Sequence, residues 1–122
     1  MKNATLIKSF FITTDTGEKK HFQGYLFCQD DDRFEIFELT DKMEFVSTTF
    51  IATACSDILY QGKRIGELCW TPFVSGKKQT IAFKQEGKEH FDTGIPVDHM
   101  EAYLLAEIEI FKHLVQQKTI TL

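Results

Sequence analysis

Between residues 98 and 118 the chain passes twenty-one positions without Gly or Pro, and Met100, Tyr103, Leu104, Ile108, Phe111, Leu114 and Val115 recur at the three-and-four spacing of one helix face. Asp98 and Glu101 stand in the relation of a capping box, and Pro96 lies just outside, where it leaves the helix ladder intact. Leu105 and Ile110 fall off the stripe, so this helix is expected to bury more than half its circumference, with Phe111 against a sheet.

Upstream the period changes from helical to alternating. β-Branched and aromatic residues predict strands over 5–14, 20–29, 33–39, 58–61, 64–71, 78–85 and 89–92. Asp15, Gly17, the Asp30-Asp31-Asp32 run, Gly62 and Gly87 mark turns between them. In the second strand Phe22, Leu26 and Cys28 alternate with His21, Gln23, Tyr25, Phe27 and Gln29. The second set predicts a strand face that is wet in the monomer. Residues 41–57 are ambiguous: Val46, Thr48, Thr49, Ile51 and Thr53 favour a strand, whereas Met43, Val46, Phe50, Ile51, Ala54, Cys55 and Ile58 make a helical face behind an Asp41/Glu44 capping box. Periodicity outweighs propensity here and predicts a second helix.

Asp41-Lys-Met-Glu44 and Asp98-His-Met-Glu101 match at an offset of 57, as do Phe34 and Phe91. This suggests a repeated unit of three strands and a helix, with halves 1–57 and 58–122 inside one domain. The expected fold class is therefore α+β, an antiparallel sheet packed by two helices. In topology alone, such a repeat resembles the single-strand nucleic-acid binders of the PUR/Whirly type.

Composition sharpens the functional side. The chain has 122 residues, 43% hydrophobic and 26% charged, which is a globular balance. Twelve Phe against one Trp and three Tyr point to a Phe-rich core, but Phe and Tyr lie on both faces of the first three strands, more than one helix layer can cover. The net charge of −4 lies in residues 1–57, with six basic against ten acidic residues, while 58–122 balances eight against eight. An acidic chain is poorly suited to non-specific binding of nucleic acid or anionic membrane. With no signal-like or membrane-spanning run, the expectation is a cytoplasmic protein whose Cys28, Cys55 and Cys69 are reduced and buried.

Candidate chemistry is sparse. Glu109 and His113 are an i,i+4 pair expected to meet as a surface ion pair. His90, Asp92, Asp98 and His99 could approach one another, but a strand end and a helix start also draw polar residues for capping and solvation. Gly62-Lys63-Arg64-Ile65-Gly66 lacks the Lys-Ser/Thr of a phosphate loop. No catalytic, metal or cofactor motif is present. Lys63, Arg64, Lys77, Lys78, Lys84 and Lys88 would form a basic edge if their turns converged, near Trp70 and Phe83. Three functions follow in order: a non-enzymatic protein-interaction module, self-association included, using Tyr25 and Phe27; a single-stranded nucleic-acid binder using the basic turns of 63–88; and a small-ligand protein or enzyme with a pocket between sheet and C-terminal helix.

Overall fold

The computed structural model describes residues 3–28 and 32–122. Alternation and turn chemistry give β1 (Ala4–Thr13), β2 (Lys19–Phe27), β3 (Arg33–Leu39), β4 (Phe45–Ala52), β5 (Asp57–Tyr60), β6 (Lys63–Trp70), β7 (Thr80–Lys84) and β8 (Phe91–Pro96), followed by α1 (Ala102–Gln116). Each strand pairs antiparallel with the next, so the eight form a meander in sequence order. The sheet curls into a half-barrel with one helix, a mainly β architecture. α1 runs against β7, β8 and β1, bridging the seam between the two edge strands. None of the described helices is long and apolar enough to cross a membrane.

The concave side is a phenylalanine core. Phe10, Phe22, Phe34, Ile36, Phe50, Ile58, Ile81 and Phe83 point inward against Ile108, Ile110, Phe111 and Leu114 of the helix. Two strand glycines make room for it. Gly24 and Gly66 lie on the inner face, where the rings of Phe34 and Phe83 press on their backbones. A Cβ at Gly66 would stand 2.5 Å from the Lys84 carbonyl oxygen and 2.5 Å from the Phe83 ring. Backbone cannot retreat as a side-chain tip can, so Gly66→Ala is expected to cost about 1–3 kcal/mol by overpacking. A urea-melt midpoint unchanged from wild type would show that β6 and β7 spread freely.

Curvature is built in by bulges. In β4 the register jumps from Phe37↔Ser47 to Glu35↔Ile51, inserting two extra residues. The Thr48 hydroxyl donates to the Ile36 carbonyl at 2.6 Å, and the Thr49 amide donates to the Ser47 hydroxyl at 3.1 Å. The same device recurs in β8, between Ala82↔Asp92 and Thr80↔Pro96. There Thr93 donates to the Ile81 carbonyl at 2.6 Å and the Gly94 amide donates to Asp92 at 2.9 Å. Thr49 and Gly94 hold equivalent left-handed positions, at φ 59 and 76.

Several expectations are overturned. The α+β class with two helices gives way to a sheet with a single C-terminal helix. Residues 41–57 are a turn and strand β4 rather than a helix: the Asp41/Glu44 pattern closes the β3–β4 turn, where the Thr40 amide bonds the Glu44 carbonyl at 2.9 Å and Met43 takes φ 61. Without that helix the repeat of three strands and a helix is lost. Its PUR/Whirly-like topology goes with it. In α1 the N-cap is Glu101 in the left-handed region with no side-chain cap bond. Asp98 instead pairs with Lys78 at 3.1 Å. The buried face is also rotated: Met100 and Tyr103 are exposed, whereas Ala102, Ala106 and Ile110 are buried. Cys28 and Cys55 are exposed and Cys69 half-buried, all three free, so the buried-thiol expectation fails. Glu109 pairs with Lys112 at 3.1 Å rather than with His113, whose ring stacks on Phe91 at 3.9 Å. Two members of the Asp30-Asp31-Asp32 run, and Gln29, lie outside the described residues.

Candidate functional site

The outer, convex face of the sheet has two halves of different chemistry. Over β1 to β4, alternation places Tyr25 and Phe27, level with Glu35 and Arg33, on the same outward face as Phe37 of β3, and Leu39 level with Phe45 of β4. Tyr25, Phe27, Phe37 and Phe45 form a cluster with ring centroids 6.0 to 6.5 Å apart. Leu6, Phe11 and Phe45 are about half exposed around it. Polar groups frame the rings. The Tyr25 hydroxyl donates to Gln23 at 2.8 Å, and the Arg33 guanidinium lies 4.4 Å from the Phe27 ring centre while bonding Glu35 at 3.0 Å. Over β5 to β8 the same face carries Asp57, Arg64, Glu67, Lys84 and Asp92.

The basic residues singled out in the sequence are dispersed. In a meander, alternate turns lie at opposite ends of the sheet. Lys63 and Lys88 therefore sit at one end, Lys77 and Lys78 at the other, roughly 25 Å away along β6. Arg64 is engaged by Asp57 at 2.9 Å and Glu67 at 3.1 Å, which hold its guanidinium above its ordinary pKa. Lys84 lies level with Glu67 across the β6–β7 ladder. Trp70 is half exposed and donates to the Tyr103 hydroxyl at 3.1 Å, whereas Phe83 is core.

The histidine candidates separate in the same way. His90 lies 3.9 Å from the Cys69 sulfur, and Asp92 is occupied in the bulge, accepting from the Thr80 hydroxyl at 2.6 Å. Asp98 and His99 follow β8 at its other end. Among the described residues no three His, Cys, Asp or Glu gather as metal ligands.

Sequence reasoning missed Glu107. It lies on the inward face of α1, 3% exposed, and its Oε1 is fully buried without a hydrogen-bond partner. Burial pushes its pKa up to about 8. The carboxyl lines a cavity of about 340 Å³ between the first turns of α1 and the sheet end formed by the start of β3 and the β4–β5 turn. Phe34, Ala52, Leu68 and Leu104 make its apolar walls, with Thr53, Ser56 and Tyr103 supplying hydroxyls and Asp32 at the rim. The available signal was position: Glu107 falls three residues after Leu104 and four before Phe111, within the apolar stripe.

Comparison of the chain with protein-family models, with curated protein sequences and with solved structures finds no match.

Proposed function

We propose that the chain is a protein-interaction module that self-associates through the outer face of β1 to β4. The observation that carries this reading is the outward Tyr25–Phe27–Phe37–Phe45 cluster, since aromatic clusters on a solvated sheet face are the usual energetic centre of an interface. A second copy suits the distribution of charge. Arg33 lies at one end of β3, and the exposed Asp41 and Glu44 lie beyond its other end. A two-fold axis crossing β3 near Phe37 stacks β3 on β3 in opposite directions. Each Arg33 then meets the partner's Asp41–Glu44 turn while ring packs on ring. The exposed, free thiols of Cys28 and Cys55 fit a reducing, cytoplasmic setting.

The test is the oligomeric state. Wild type is expected to dimerise at micromolar concentration by sedimentation velocity. Phe45→Asp, which changes a half-exposed ring, should stay monomeric and melt within a few degrees of wild type. A wild type that remains monomeric at the highest soluble concentration removes self-association.

A further inference from the structure

A buried carboxyl with no partner is expensive to keep, because neither water nor a neighbouring donor repays its lost hydration. Glu107 is held in that state at the wall of a cavity. We propose that this cavity is a binding site for a small amphiphilic primary amine, its ammonium on the Glu107 carboxylate and its hydrocarbon part against Phe34, Leu68 and Leu104.

Charge selects the cation. Among the described residues the space is lined by Asp32 and Glu107 and by no Lys or Arg, so a cation is the ion it can pair. Geometry selects the amine. One buried carboxyl at the inner wall, with Asp32 at the rim, fixes the polar end of a ligand and leaves the rest to Phe34, Ala52, Leu68 and Leu104. An ammonium has three donors, and the hydroxyl oxygens of Thr53, Ser56 and Tyr103 line the same cavity as further acceptors. The volume of about 340 Å³ sits at the small end of the range for ligand sites.

Proton balance makes the proposal specific. Near neutrality the empty site holds Glu107 largely protonated, because burial has pushed it up to about 8. A free alkylamine carries its own proton until roughly pH 10. Formation of the ion pair therefore expels the Glu107 proton to solvent, and affinity rises with pH until the carboxyl is ionised without help. Among the described residues, the other titratable groups lining the cavity are Asp32 just before β3 and Tyr103 one turn earlier on α1. Both are unchanged in Glu107→Gln, so a pH dependence that the variant loses belongs to Glu107.

Hexylamine and hexanol serve as matched probes, titrated by calorimetry between pH 6 and 9 against wild type and Glu107→Gln. Hexylamine affinity for wild type is expected to rise roughly 50-fold from pH 6 to 8 and then level, with close to one proton released per amine at pH 6. Hexanol should bind more weakly and without that rise. Glu107→Gln removes no volume and keeps the fold, so it should retain any hexanol binding while losing hexylamine. Failure of hexylamine to bind, binding that is flat with pH, or equal binding by Glu107→Gln overturns the proposal. Tighter binding of hexanol that weakens through pH 8 overturns it in favour of a neutral hydroxyl ligand held by the protonated carboxyl.

Discussion

Phe111→Ala should lower the stability of the fold by about 3–5 kcal/mol, a third or more of what a domain of this size ordinarily has. The ring is completely buried and stands where the two layers meet. Its centre lies 6.0 Å from Phe10 on β1, 5.3 Å from Phe22 on β2 and 5.4 Å from Phe50 on β4, each in an edge-on arrangement. Edge-on pairs contribute beyond the area they bury, and none of the three partners can turn to fill the gap without leaving the others. Tyr103→Ala is the internal comparison. The sequence placed Tyr103 on the same stripe, yet it is 43% exposed, and its removal should cost about 1 kcal/mol or less. Urea denaturation followed by near-ultraviolet circular dichroism separates the two. Equal losses would mean that Phe111 is not the point on which the sheet closes over the helix.

How the helix is rotated explains both the success and the failure of the periodicity. Phe111, Ile108 and Leu114 were identified because they are large and regularly spaced. Ala102 and Ala106, also buried, carry little hydrophobic weight in a sequence pattern, although small residues there allow the helix to approach the sheet. Met100 carries much weight and is the most exposed of the large apolar residues. Burial is decided by what stands opposite, and a single helix read in isolation holds no record of that.

The strand read as a helix has a more specific cause. In β4 the bulge inserts two residues, Thr48 turns back to the Ile36 carbonyl, and the concave-side positions on either side become Val46, about half exposed, and Phe50, fully buried. Four residues between successive inward side chains is the spacing of a helix turn, not of a strand. β-Branched residues at Val46, Thr48 and Ile51 were the better guide, because they report local backbone preference, which the bulge overrides only at the left-handed Thr49. The apparent match at an offset of 57 came from two turns before elements of different type, and their left-handed residues, Met43 and Glu101, are 58 apart and so not equivalent. The structural repetition lies elsewhere, between the bulged hairpins β3–β4 and β7–β8, and rests on Thr48 and Thr93. The outer aromatic face was half legible. Alternation gave Tyr25 and Phe27, but Phe45 lay within the supposed helix, so the cluster it completes could not be seen.

Glu107 carries the second large effect, a fall in stability with rising pH. Its pKa in the folded protein is pushed up to about 8 by burial, whereas in the unfolded chain it returns to the ordinary 4.5. Between those values the folded state keeps a proton that the unfolded state gives up, so raising the pH favours unfolding. The contribution is complete below about pH 4.5, declines through the window and is exhausted above about 8. Over that span it amounts to roughly 3–5 kcal/mol. His113 works in the opposite sense and lower down: burial first, then Lys88, depress it against a hydrogen bond with Gln117 that raises it. Its share of stability is therefore lost as pH falls through its range. Subtracting Glu107→Gln from wild type at each pH cancels His113 and leaves the glutamate alone. The difference in urea-derived stability should be small near pH 5 and grow to a few kcal/mol in favour of the variant by pH 8. Glu107→Leu should be at least as stable there, since an apolar side chain of similar size removes an unmet desolvation cost. A difference between wild type and Glu107→Gln that stays level from pH 5 to 8 would mean that the carboxyl finds a partner or water in solution, and that the wall of this cavity is wet.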